Sequence, residues 1–224
     1  MAITKTILKV AGSLSGCATK LYNFLNENAV PEYFDSIEIS GTVVSCKKGD
    51  NTILEFSYPS SYNTIKFVGA MTTTFKCTSD EAIGVAYKCK NGIMFDYYSS
   101  SASTYNSPII ITKDNAGNTV LGIISKDAAG TNIQCTKNSA NVLFVLNENS
   151  DSLALNQVYF NDNATSRANY QTVIAPLPVC GSSKGNFYTP NAFLMPFTQV
   201  AETGKIDING VKYLTNGLWC IKDE

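Results

Sequence analysis

The 224 residues carry 17 basic and 18 acidic side chains, for a formal net charge of −1, and include no histidine. A chain of this length buries about 70% of its unfolded surface, so a core can form without a metal or disulfides. The lack of histidine excludes Ser-His-Asp and Cys-His catalysis and imidazole-bound zinc. The near-neutral charge argues against nucleic acid or an anionic membrane as partner. No cofactor is predicted.

Small polar residues dominate the composition, with 22 Asn, 21 Thr and 21 Ser, whereas charged residues make up only 16%. These small residues favour turns and strand edges over helix interiors. Hydrophobic residues still reach 44%, which excludes disorder as the cause of the low charge. The sequence therefore predicts a mainly β protein: an antiparallel sandwich or barrel-like domain with one N-terminal amphipathic helix and a C-terminal three-stranded meander.

The one predicted helix lies near the N-terminus. Ser13 is positioned to be its N-cap, and Asn28 and Pro31 lie where it should end. Apolar residues recur at helical intervals along one face of about four turns: Leu14, Cys17, Ala18, Leu21, Tyr22 and Leu25.

The same region contains a match to the bacterial lipobox, Leu14-Ser15-Gly16-Cys17. Only Val10 to Leu14 lie between Lys9 and the Ser15-Gly16-Cys17 end of this motif, whereas an export segment needs about 7–15 apolar residues. A packed helix is therefore favoured over lipoprotein export, and no signal peptide is expected.

Period-two patterns and turn signals after residue 33 predict short strands. Asn91-Gly92 predicts a hairpin in which both turn residues take positive φ, and Asp114 to Asn118 predicts a second hairpin with a longer loop. Near the C-terminus, Asn209-Gly210 and Asn216-Gly217 divide the chain into the meander strands Lys205–Ile208, Val211–Leu214 and Leu218–Lys222.

Three segments are predicted from these patterns: an N-terminal strand and helix segment (1–30), a central β-domain (31–175), and a proline-rich segment followed by the meander (176–224). All three can equally form one continuous domain. The prolines are expected to interrupt any regular strand between Thr172 and Phe197, because proline cannot donate to a sheet ladder. They are Pro176, Pro178, Pro190 and Pro196.

The seven cysteines show no C-x-x-C pair and an odd count, which indicates free thiols in a chain that folds in a reducing compartment. A metal site is not predicted, because the cysteines lack ligand spacing and histidine is absent. A catalytic thiol would need a lysine or a helix N-terminus to activate it, and nothing in the sequence points to one. We predict no catalytic residues.

Two sets of residues are candidates for binding. Leu14, Leu21 and Leu25 of the helix and Val211, Tyr213 and Trp219 of the meander are candidates for a subunit interface. Four tyrosines are candidates for stacking on a sugar ring: Tyr97, Tyr98, Tyr105 and Tyr188.

The chain resembles virion structural proteins in three features. These are its lysine bias, with Arg167 as the single arginine, its Asn/Thr/Ser-rich β pattern, and the run from Gly204 through Asn209-Gly210 to Trp219-Cys220-Ile221. The resemblance is to those of tailed bacteriophages or prophages of low-GC bacteria. It implies a protein made in the host cytoplasm that acts in the capsid, neck or tail, by assembly or host-surface attachment. Its partners would be copies of itself, other virion proteins and a host-surface glycan.

Two alternatives come from other classes of function. A carbohydrate-binding or adhesin domain of a bacterial cell surface would present a shallow groove lined by aromatic rings. A histidine-free carbohydrate-active enzyme would need two carboxylates facing each other across a cleft. Self-assembly distinguishes the virion protein from both.

Overall fold

The computed structural model describes residues 3–58, 62–67, 71–76, 83–99, 104–125, 141–147, 152–158, 175–181, 185–194, 204–215 and 219–224. Within these ranges, one α-helix, α1 (Leu14–Asn28), accompanies seventeen β-strands that form three antiparallel sheets. The prediction of a mainly β, antiparallel fold with a single N-terminal helix is confirmed.

The central sheet contains β1 (Thr4–Ile7), β7 (Ile83–Cys89), β8 (Gly92–Ser99), β9 (Thr104–Lys113), β10 (Thr119–Ser125), β11 (Asn141–Asn147) and β12 (Ser152–Val158), which neighbour one another in that order. The N-terminal sheet contains β2 (Ser36–Ser40), β3 (Val43–Lys48), β4 (Asn51–Ser57), β5 (Tyr62–Phe67) and β6 (Met71–Lys76), also in chain order.

The C-terminal sheet contains β13 (Ala175–Gly181), β14 (Gly185–Leu194), β15 (Gly204–Ile208), β16 (Val211–Thr215) and β17 (Trp219–Lys222). Their order across the sheet is β13-β14-β17-β16-β15. Each of the three sheets is open, with two edge strands, so the sandwich form of the prediction applies and the barrel form does not.

Helix α1 begins at the predicted cap. The Ser13 hydroxyl accepts a hydrogen bond from the Gly16 N–H at 3.0 Å, which satisfies a donor that the first turn leaves unpaired. The buried face contains four predicted residues and Phe24, which the pattern missed: Cys17, Ala18, Leu21, Phe24 and Leu25. The helix therefore turns its apolar face into the molecule.

Ser13→Ala is expected to lower the free energy of unfolding by about 1 kcal/mol, because the Gly16 N–H loses its acceptor. Urea unfolding followed by far-UV circular dichroism measures this change. Thr19→Ala, at an exposed position of the same helix, is the control and should cost no stability. Equal losses in both variants would contradict the capping role of Ser13.

A shared core joins α1, the N-terminal sheet and one face of the central sheet. The Phe95 ring of β8 lies at its centre, 6.0 Å from the Phe24 ring of α1 and 5.7 Å from the Phe56 ring of β4. The opposite face of the central sheet also buries apolar side chains, including Met94, Ile110 and Val120. The C-terminal sheet reaches that second face.

The β7–β8 hairpin forms as predicted, but its turn does not. Cys89 pairs with Gly92, so Lys90 and Asn91 form the two-residue turn, and neither Asn91 nor Gly92 is among the described residues with positive φ. Gly92 is required for a different reason: a Cβ there would lie 2.8 Å from the Ile111 carbonyl oxygen and 3.0 Å from Ile221 Cδ1. Close packing of the C-terminal sheet against this strand explains the glycine.

The proline-rich segment contradicts its prediction, because β13 and β14 form a hairpin across it. Proline is tolerated on β13 because this is an edge strand. The register then shifts, with Pro176 opposite Phe193 but Pro178 opposite Tyr188, so Pro190 lies in an irregular stretch of β14. The sheet accommodates proline at an edge and in a bulge.

The predicted C-terminal meander is confirmed as β15, β16 and β17, which β14 and β13 extend to five strands. Asn209 and Gly210 have φ values of 54° and 81°, as expected for a turn with two left-handed residues. The Asn216-Gly217 turn lies outside the described residues.

Candidate assembly surface

The helical part of the predicted subunit interface is corrected by burial. Leu21 and Leu25 are fully enclosed in the chain's own core, and Leu14 packs against that core from a half-buried position. Side chains that stabilise α1 from within cannot contact another subunit while the helix stays folded. The amphipathic pattern correctly predicted which face of α1 is apolar, but it did not show that the chain's own core covers that face.

In the C-terminal sheet, Val211 and Tyr213 are half-buried. The Tyr213 ring meets the Phe193 ring edge-on at 6.0 Å, and burial raises the pKa of Tyr213. The Trp219 backbone lies in β17, and its side chain is outside the described residues. Val211, Tyr213 and Trp219 remain candidates for an interface.

The four candidate stacking tyrosines do not form one surface. Tyr98 of β8 and Tyr105 of β9 are cross-strand partners, and Tyr97 is next to Tyr98, although these three side chains lie outside the described residues. Tyr188 of β14 bonds Asn115 through its backbone, at the far end of β9. Roughly 26 Å of extended strand separates Tyr105 from Lys113 at that end.

Two edge strands expose large apolar side chains. Ile7 on β1, the edge of the central sheet, is 62% exposed, and Ile39 on β2, the edge of the N-terminal sheet, is 37% exposed. Tyr188, on the interior strand β14, is also exposed, at 47%. Exposed apolar edge strands are templates for pairing with another chain.

Helix α1 lies beside both of these edges. It packs against β2 and β3 of the N-terminal sheet and against β7, the neighbour of β1, in the central sheet. Lys20 of the helix donates from Nζ to the Ile7 carbonyl oxygen at 3.5 Å. We call the surface made of β1, α1 and β2 the helix flank. Sequence periodicity could not identify it, because alternation does not reveal which strand is an edge.

An ion pair at the surface, packed on the buried Tyr33, fixes the chain between α1 and β2. Lys88 Nζ on β7 lies 2.8 Å from Glu32 Oε2, 3.4 Å from the Tyr33 hydroxyl and 4.7 Å from the centre of the Tyr33 ring. Burial, followed by the Glu32 charge, raises the pKa of Tyr33 well above its usual range. Tyr33 therefore stays protonated and acts as a structural group.

A second polar contact closes the β3–β4 turn. The Asp35 carboxylate accepts a hydrogen bond from the Gly49 N–H at 2.7 Å, and Lys48 Nζ lies 3.6 Å from the same carboxylate. The Gly49 hydrogen bond is the main reason that the pKa of Asp35 is lowered. The contacts around Lys88 and those around Asp35 therefore both hold separate backbone segments together.

The thiols whose surroundings are described are free and buried: Cys17, Cys46, Cys89 and Cys220. Burial raises the pKa of Cys89 to about 11 and that of Cys220 to about 12. Burial also raises the pKa of Cys46, and no neighbouring group lowers it. Free thiols were predicted, and these four agree.

Alkylation with iodoacetamide at pH 8 is expected to leave these four thiols unmodified in the folded protein, because all four are buried. At Cys46, Cys89 and Cys220 the raised pKa also keeps thiolate scarce. Peptide mass spectrometry before and after urea denaturation identifies each labelled cysteine. The denatured chain is the control and should label at all seven. Rapid native labelling of Cys46 or Cys89 would contradict the packing described.

Among the described residues, no three metal-ligating side chains converge on one point. No helix in those ranges has the length and apolar character needed to cross a lipid bilayer. Comparison with protein-family models, with curated proteins and with solved structures gives no match.

Proposed function

We propose that this chain is a non-enzymatic structural protein of a tailed bacteriophage or prophage virion. It would act in the capsid, neck or tail by assembling with copies of itself and with other virion proteins. The resemblance in composition and in the C-terminal run suggests the class. The exposure of Ile7 and Ile39 on two edge strands is the observation that supports assembly as the mode of action.

Edge strands of stable monomers are normally protected by charge, proline or covering elements. On the helix flank, the edge strands β1 and β2 combine outward-facing backbone groups with the exposed side chains of Ile7 and Ile39. An added strand would satisfy the backbone and cover the isoleucine at the same time. Repetition of such contacts builds rings or layers when the geometry closes.

The first test is the mass of the purified protein in reducing buffer, measured by light scattering over a wide concentration range and accompanied by negative-stain imaging. A ring, trimer or larger symmetric particle is expected. Ile39→Lys should shift the population towards monomer, because it places a charge on the β2 edge. A wild-type protein that stays monomeric at every concentration would overturn self-assembly.

Tyr188→Lys is the matched control, since Tyr188 is 47% exposed but lies on an interior strand. It should leave the mass unchanged. If Ile39→Lys and Tyr188→Lys dissociate the particle to the same extent, general surface charge controls association and the β2 edge does not.

Carbohydrate binding is a second candidate, favoured by the cross-strand position of Tyr98 and Tyr105. Aromatic side chains at such a pair can stack on a sugar ring. A glycan array should then give a signal that Tyr98→Ala and Tyr105→Ala remove and Tyr188→Ala preserves. An array with no signal would exclude this candidate for the glycans tested.

A further inference from the structure

We propose that the open edge of β1 binds an extended, acidic segment of a different polypeptide, which adds an eighth strand to the central sheet. This proposal names the partner for one edge of the helix flank and therefore rests on the proposed function. The backbone of β1, the charges around it and the charges on other edges support this partner.

The backbone register shows which groups of β1 face outward. Thr4 and Thr6 are opposite Lys88 and Ala86 of β7, and the Leu8 N–H continues the ladder by donating to the Gly84 carbonyl oxygen at 2.9 Å. Because successive residues direct their backbone groups to opposite sides, those of Lys5 and Ile7 point away from β7. The approach of Lys20 Nζ to the Ile7 carbonyl oxygen agrees with this orientation.

Within the described residues, the β1 edge is flanked by lysines. Lys5, Lys9 and Lys20 are all exposed, and the first acidic residue of the chain is Glu27. Glu32, which lies beside β7, is already held by Lys88 at 2.8 Å. An incoming strand thus meets the outward-facing backbone groups of β1, the exposed Ile7 side chain and three exposed lysines. Of these, Lys20 already donates to the Ile7 carbonyl oxygen, and Lys5 Nζ lies 5.8 Å from the centre of the Tyr87 ring. Acidic residues alternating with apolar ones match this surface.

A second copy of the same edge does not fit. Two-fold pairing of β1 with β1 would bring the two lysine sets together, and like charges on facing strands are destabilising. The β2 edge has Glu38, but this carboxylate is paired with Lys47 at 2.7 Å. The β15 edge has one lysine and one aspartate and is neutral. The remaining edge strands, β6, β12 and β13, carry no acidic residue. We therefore assign the acidic strand to another polypeptide.

The experiment uses fluorescence anisotropy with two labelled peptides, one alternating Glu with Val and the other alternating Lys with Val. The Glu peptide should bind the full-length protein, with an affinity that falls as salt is added, and the Lys peptide should not. Equal binding of both peptides, or of neither, would overturn the proposal.

Two variants locate the site. Ile7→Pro removes an outward N–H while leaving the hydrogen bonds from β1 to β7, and should weaken binding of the Glu peptide at least tenfold. Lys5→Glu should do the same by reversing a charge. Lys205→Glu, at an exposed lysine on the edge strand β15, is the matched control and should bind as the wild type does. Equal losses for Lys5→Glu and Lys205→Glu would show that net charge alone attracts the peptide.

Light scattering on the same samples separates this proposal from the proposed function. If the protein self-assembles but does not bind the Glu peptide, the proposed partner of β1 is wrong and the proposed self-assembly is unaffected. A monomer that binds the peptide through β1 overturns self-assembly and supports the strand-binding edge.

Discussion

Phe95→Ala is expected to lower the free energy of unfolding by about 3–5 kcal/mol, enough to unfold many domains of ordinary stability. Phe95 is fully buried, and its ring contacts those of Phe24 and Phe56. Truncation leaves a cavity where α1, the N-terminal sheet and the central sheet meet. Urea unfolding monitored by circular dichroism measures the loss, or shows that the variant does not fold.

Phe95→Leu is the conservative control, because it keeps most of the apolar volume and loses the aromatic contacts. Its cost should be about 1–2 kcal/mol. If Phe95→Ala costs no more than Phe95→Leu, the three elements do not share the core described.

Gly92→Ala is expected to cost about 2–3 kcal/mol, because the added methyl group would overlap the Ile111 carbonyl oxygen and press on Ile221. The carbonyl belongs to the central sheet and cannot rotate away. The C-terminal sheet should therefore separate from the central sheet before the rest unfolds. Fluorescence of the single tryptophan, Trp219 on β17, should change at lower urea than far-UV circular dichroism.

Gly41→Ala provides the comparison. Gly41 has a φ of 59° and open space around it, so alanine there introduces left-handed backbone strain of about 1–2 kcal/mol without a clash. Coincident fluorescence and dichroism transitions in Gly92→Ala, with a cost no greater than that of Gly41→Ala, would show that Gly92 is not a packing position.

Local chemistry predicted the features of the fold that depend on neighbouring residues. Ser13 caps α1 as expected, and Asn209-Gly210 forms a turn with two positive φ values. Asn91-Gly92 has the same two residues but a different conformation, because the register of β7 and β8 places Gly92 inside the ladder. Ile221, a residue far along the chain, packs against Gly92, and no local sequence pattern reveals this contact.

The candidate site was less predictable for the same reason. The helical period correctly gave Leu21 and Leu25 one common face, yet only the packed structure shows that the chain's own sheets cover it. Conversely, Ile7 and Ile39 look like ordinary strand residues in the sequence. Their exposure follows from the order of strands within sheets, which depends on pairings between distant segments.

The tip of the β7–β8 hairpin is completed by residues that the ribosome adds much later. The Lys90 N–H donates to Asp223 Oδ1 and the Asn91 side chain donates to the Lys222 carbonyl oxygen, across 133 and 131 positions. At about 5–20 residues per second, roughly 7 to 27 s pass between the synthesis of the two sides. During that interval Ile221 does not yet cover Gly92, so the nascent chain depends on its N-terminal core for protection while the last sheet is made.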